Sequence, residues 1–107
     1  MIITIFRARV RLEAHDEYVR LAARMGELAR QVPGYVSHKC FIADDGERVM
    51  IVEFESERAQ RIWSERREHM EAKHKGRASF YVQYRVQVCT VQRESSFPSR
   101  VPLAALG

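Results

Sequence analysis

The chain has 107 residues, 46% of them apolar and 30% charged, a balance that fits one small globular domain and excludes a second core of useful size. No apolar run approaches the ~20 residues that span a bilayer, and the start Met1-Ile2-Ile3-Thr4-Ile5-Phe6-Arg7 lacks the charged opening and cleavage site of a secretory signal, so the expectation is a cytoplasmic protein with no membrane partner. The net charge of +4 invites a nucleic-acid reading, but Arg66, Arg67, Lys73, Lys75 and Arg77 are interleaved with Glu65, Glu68 and Glu71, the pattern of a solvated, self-compensating helix face, and no nucleic-acid partner is expected.

From Ile2 to Leu12 the side chains alternate, with Thr4, Phe6, Ala8, Val10 and Leu12 on one face of a strand and Ile3, Ile5, Arg7, Arg9 and Arg11 on the other. Between about His15 and Val32 the apolar residues Tyr18, Leu21, Ala22, Met25, Leu28, Ala29 and Val32 recur at three and four, a single helical stripe that Pro33-Gly34 ends. Tyr35 to Ile42 is a strand, Asp44-Asp45-Gly46 supplies turn residues that tolerate positive φ, and Arg48 to Glu55 resumes alternation, which together predict a hairpin. Ser56 caps a second helix carrying Glu57, Ala59, Ile62 and Trp63, expected to break near Arg66 before the polar stretch to Gly76. Phe80 to Val91 closes the chain's regular part as a strand, with Phe80, Val82, Tyr84, Val86 and Val88 on one face and Tyr81, Gln83, Arg85, Gln87 and Cys89 on the other. The domain is expected to span 1–93, and 94–107 to be a tail, loose or docked on a partner subunit.

Strand, helix, hairpin, helix, strand fits an α+β, ferredoxin-like split βαβ protomer: one antiparallel four-stranded sheet with both helices on one face. The other face then mixes Ile3, Ile5, Tyr81 and Cys89 with Arg7, Arg9 and Arg85, too apolar for water and too charged for a closed core, and pairing of two such faces into a homodimer resolves the conflict. Arg7, Arg9, Arg85 and Glu53 are expected to form an ion network there. The second and fourth strands are the sheet's two edges, so Cys40 and Cys89 are out of disulfide reach of one another.

Pro33-Gly34-Tyr35-Val36-Ser37, Asp45-Gly46-Glu47-Arg48, Ile51-Val52-Glu53-Phe54-Glu55-Ser56, Trp63 followed by Glu68-His69, and Gly76-Arg77 before Phe80-Tyr81 form a succession that resembles the antibiotic biosynthesis monooxygenase domain family over residues 2–93. The resemblance implies a dimeric α/β barrel of ferredoxin-like protomers. It also implies a homodimer joined through the sheet face and a small aromatic ligand. Three activities follow from it: a cofactor-independent monooxygenase acting on a quinol-like or polycyclic aromatic, a non-catalytic ligand-binding or stress-associated barrel, and a haem-degrading monooxygenase. Family members of both oxygenase types use an asparagine together with a tryptophan, and this chain has no Asn; Trp63 alone remains of that pair. Where haem-degrading members carry the iron-ligating histidine, ten residues past the tryptophan, stands Lys73 with His74 beside it, so the expected cofactor is none, with haem as the minor reading.

Four residues are singled out. His69 is the candidate catalytic base, six residues past Trp63, with Glu65 one turn earlier; the competing reading is a solvated histidine. Trp63 is a candidate substrate wall, offering a flat apolar face and one N–H donor, against core anchoring of its helix. Tyr84 would orient a phenolic substrate through its hydroxyl, and His38, on the hairpin's first strand with Val36, Cys40 and Ile42, would reach the same cavity; core packing is the plain reading of both. His69 and His74 lie five apart, roughly 140° around a helix, so they do not form a chelating pair, and no metal site is expected.

Overall fold

The computed structural model of the chain describes residues 1–73 and 81–98, with 68–73 as backbone only. Strand β1 (Ile2–Val10) leads through a 3-10 turn, Leu12–Ala14, into helix α1 (His15–Arg30), followed by β2 (Tyr35–Ile42), β3 (Arg48–Phe54), α2 (Glu57–Lys73) and β4 (Tyr81–Thr90). The strands order as β2-β3-β1-β4, every neighbouring pair antiparallel, and both helices cover one face. This is the ferredoxin-like α+β arrangement that the alternation predicts. The outer strands are β2 and β4, which carry Cys40 and Cys89 as free thiols on opposite edges.

Local chemistry explains the corners. Gly34 takes φ +97 between α1 and β2, where its carbonyl accepts the Glu55 N–H at 2.7 Å; a Cβ there would stand 2.9 Å from that of Ala59, so the site needs glycine on two counts. In the hairpin, Ala43 N–H donates to the Glu47 carbonyl at 2.8 Å and the Asp45 carboxylate accepts from Glu47 N–H at 3.1 Å, with Gly46 at φ +88. Ser56 Oγ accepts the Ala59 N–H at 3.2 Å, the cap that Ser56 promises in the sequence.

The core lies between the helices and the central strands. Phe6 and Ala8 of β1, Met50, Val52 and Phe54 of β3, Met25, Leu28 and Ala29 of α1, and Ala59 and Trp63 of α2 are all buried. Among the α2 positions whose side chains are described, Ala59, Gln60, Trp63 and Arg67 are buried, spaced at three and four as one face of a helix requires.

Three expectations change. Helix α2 runs unbroken from Glu57 to Lys73, because the Trp63 to Arg67 spacing keeps the buried face going through the residue where a break was expected. Strand β1 stops at Val10, and Leu12 turns into solvent at 92% exposure. Tyr81 joins Tyr84 on the helix side: the β1–β4 register slips between Arg9/Gln83 and Val10/Tyr81, a bulge that inserts Val82 as an unmatched residue and reverses the alternation before it.

The opposite sheet face bears Ile3, Ile5, Val49 and Ile51, half-buried, with Phe41 exposed. At its rim Arg7 grips Glu47 through two hydrogen bonds, 2.9 and 3.2 Å, and Arg9 meets Asp45 at 2.6 Å. These arginines thus tie β1 to the hairpin tip within the protomer, where the sequence suggests a network with Arg85 and Glu53. Of the expected tail, 99–107 lies outside the described residues, and Phe97 is fully exposed.

Candidate functional site

Trp63 is 1% exposed. Its indole N–H donates to the Met25 carbonyl at 3.0 Å, which closes the one polar valence that a ligand would want, and its ring packs on Phe54 with centroids 5.7 Å apart. Beside it lies a recess of about 20 Å³, walled by Phe6, Tyr18, Met25, Met50, Arg67 and Tyr81 among others. That is room for about one water molecule. The side chains that would have to leave for a ring to enter this recess are the methionines, which repack at little cost.

From this recess a run of aromatic rings leads outward along the sheet. Phe6 meets Tyr81 edge-on at 5.9 Å and stacks on Tyr84 at 5.8 Å, Tyr81 lies 5.2 Å from Tyr84, and Tyr18 meets Tyr81 at 6.1 Å. Tyr84 faces the helix side, as its alternation implies, yet is 55% exposed, and Val88 on the same row is 51% exposed, because α2 packs over β1 and β3 and leaves β4 largely uncovered. Trp63 packs on Phe54 instead and meets this run only through the Arg67 guanidinium, so Trp63 and Tyr84 do not face one shared void.

Arg67 belongs to this group, and the charge pattern hides it. Only 9% exposed, its guanidinium stands 5.7 Å from the Phe6 ring centroid and 6.0 Å from that of Trp63, a cation held over two aromatic faces. The surrounding Glu residues suggest a solvated face, whereas the informative signal is the four-residue spacing from Trp63, which puts Arg67 on the buried side.

His38 stands elsewhere. It pairs across to Val52, shares a 2.7 Å hydrogen bond between Nδ1 and the Tyr35 hydroxyl, and presses its ring on Gly26 so closely that a Cβ there would fall 2.6 Å from Nε2. Burial first, and the Arg30 charge second, pull its pKa below the usual histidine value. It lines a groove between α1 and β2, separated from the Trp63 recess by Tyr18 and Ala22, which border both. His69 is carried by α2, and its side chain lies outside the described residues, as does His74.

Among the described residues no group of three or more His, Cys, Asp or Glu gathers as a metal site would require, and no helix is long and apolar enough to cross a membrane.

Comparison with known proteins bears on this site. The sequence is 33% identical over 88 residues to the uncharacterized protein YqjZ of Bacillus subtilis, covering 82% of this chain and 77% of that one. Among solved structures, a point mutant of SnoaB, a cofactor-independent oxygenase from Streptomyces nogalater, superposes with a TM-score of 0.71 at 18% identity, over 92% of this chain and 97% of the other. Rv0793 from Mycobacterium tuberculosis superposes with a TM-score of 0.68 at 20% identity, over 89% and 98%; at these identities both likenesses speak for the fold. Residues 1–75 match the sequence model of the antibiotic biosynthesis monooxygenase family, and the chain belongs to that family.

Proposed function

We propose that the protein is a cofactor-independent monooxygenase of the antibiotic biosynthesis monooxygenase type, acting on a quinol-like or polycyclic phenol. The observation that carries this reading is the aromatic run Phe6, Tyr81, Tyr84 with the Arg67 guanidinium set between the Phe6 and Trp63 rings. A flat ring system stacks on such a surface, starting at the exposed face of Tyr84, and a fixed positive charge beside it favours the phenolate over the phenol.

The substrate then supplies all the electrons. A base removes the phenolic proton, the carbanion-like ring passes one electron to O2, and recombination at a ring CH forms a C–O bond to a peroxide, which takes up the proton. Loss of water, carrying off the hydrogen of that ring carbon, leaves C=O, one oxygen atom entering the product and the other leaving as water. The protein's part is to orient the ring, exclude water and hold the proton. His69 on α2 is the candidate base, Trp63 and Tyr84 the candidate walls. The open sheet face, with Ile3, Ile5, Val49, Ile51 and Phe41, is the surface through which two protomers would pair, and Ile5→Glu should raise the monomer fraction in sedimentation.

A second reading has its own observation: the recess beside Trp63 holds about 20 Å³ and the indole N–H is already bonded, which favours a non-catalytic, ligand-binding or stress-associated barrel in which Trp63 is core and any ligand lies outside that recess. Titration of Trp63 fluorescence with fused-ring hydroquinones, with oxygen uptake followed in parallel, separates the two. Saturable quenching with uptake that His69→Ala abolishes supports the oxygenase. Quenching without uptake supports the binding barrel, and the absence of both overturns each.

A further inference from the structure

The groove between α1 and β2 encloses about 310 Å³, many times the Trp63 recess and at the lower end of the roughly 300–1,000 Å³ typical of small-ligand sites. Val19, Ala22 and Ala23 of α1 form one wall, and Cys40 and Ile42 of β2 the other. Val19 and Ile42 are exposed, so the walls are apolar surface held open to solvent. The polar groups are few and differ in kind. His38 has its Nδ1 engaged by the Tyr35 hydroxyl, and burial raises the Cys40 pKa, which keeps the thiol protonated and soft rather than nucleophilic.

Arg48 is the one formal charge among the lining residues. It is half-buried and held in place from two sides: its guanidinium lies 5.9 Å from the Tyr18 ring centroid, and it donates to His15 Nδ1 at 3.0 Å. An arginine only donates, so His15 accepts, and neither partner supplies a negative charge. These are its side-chain interactions among the described residues, and no carboxylate among those residues reaches it. The described residues thus orient a cation at the margin of an apolar trough with no acid beside it. Arg7, Arg9, Arg24 and Arg61, by contrast, each hold an acid.

We propose that this groove is a second small-molecule site, separate from the Trp63 recess, which takes an amphipathic organic monoanion: a carboxylate on Arg48 with its apolar body laid between Val19 and Ala23 on one side and Cys40 and Ile42 on the other. An oriented guanidinium presents a fork that matches a carboxylate. The lack of any other formal charge along the lining selects a single anionic head with an uncharged body.

The test uses the full-length chain labelled with nitrogen-15 and titrated with 2-naphthoate, with neutral 2-naphthamide as the control. Saturable amide shifts are expected at Ala23, Phe41, Ile42 and Arg48. Arg48→Gln should weaken 2-naphthoate by about tenfold or more while leaving 2-naphthamide unchanged, and Arg48→Lys should restore part of the difference. Ala23→Phe, at an exposed helix position, should block both ligands by filling the groove without altering the spectrum elsewhere. Equal weakening of acid and amide by Arg48→Gln overturns the proposal, because the arginine would then act only as scaffold. So does binding that survives Ala23→Phe, or shifts confined to Trp63 and Tyr84. The Trp63 indole N–H resonance reports the other recess independently, so failure here is read apart from failure of the oxygenase reading.

Discussion

The two recesses that flank α1 share Tyr18 and Ala22 and are floored by the same sheet, yet one holds about 20 Å³ and the other about 310 Å³. The difference lies in what faces α1 across each. On the Trp63 side α2 brings an indole, with Met25 and Met50 filling the gaps around it, so the space closes to native packing density. On the β2 side no described element lies beyond the sheet edge, and the strand offers Cys40 and Ile42 against the alanines of α1. The large side chain that family resemblance marks as functional is the one that fills its own pocket. Of the described residues lining the emptier recess, Arg48 alone belongs to the motifs that carry the resemblance.

The largest effect should come from Trp63→Ala, which removes a fully buried ring and its bond to the Met25 carbonyl. A loss of about 3–5 kcal/mol in urea unfolding is expected if the indole is core, and a loss below about 1 kcal/mol would mean that the recess opens freely in solution. Gly34→Ala sharpens the contrast from the backbone side, since it forces a side chain into φ +97 and against Ala59 of α2; about 2 kcal/mol should be lost. Gly26→Ala acts on the other recess. It drives a methyl into the His38 ring, and overpacking outweighs the gain in helix propensity by about 1 kcal/mol, with the His38 to Tyr35 hydrogen bond broken in the nuclear magnetic resonance spectrum.

Thr4→Val should work in the opposite direction. The Thr4 hydroxyl is buried and has no hydrogen-bond partner among the described residues, so the similarly shaped valine should stabilise by about 1 kcal/mol; a destabilised variant would point to a bound water at that hydroxyl. The smallest effect is a pH dependence. His38 has a lowered pKa, from burial and then from Arg30, so below the ordinary histidine value of about 6.5 the unfolded chain takes a proton that the folded one refuses. Stability should fall as pH drops through that value, and the loss should be complete below the folded pKa. His38→Gln should flatten the slope, and an unchanged slope would assign it to other groups.

The candidate site was less legible in the sequence than the fold. His38 carries a sequence signal, an imidazole on the apolar side of a strand, but the side of α1 on which it lands depends on strand order and on the absence of a Cβ at Gly26, and neither is local information. Arg67 was hidden because charge interleaving and burial spacing give opposite answers for one residue, and only the packing of α2 on Phe6 decides between them. Arg48 is an ordinary hairpin arginine until the Tyr18 ring and His15 meet it from 30 or more positions away.

The order of strands and helices, the Pro33-Gly34 stop, the hairpin turn and the Ser56 cap were determined by the sequence alone, because period-two and period-3.6 patterns and turn chemistry act over a few neighbours. Tertiary structure decided the bulge that turns Tyr81 to the helix side, the continuity of α2, the pairing of Arg7 and Arg9 with the hairpin, and the volumes of the two recesses. Those depend on which surfaces meet across the sheet, and a void is the difference between the space that elements enclose and the side chains that fill it, a quantity that no single segment carries.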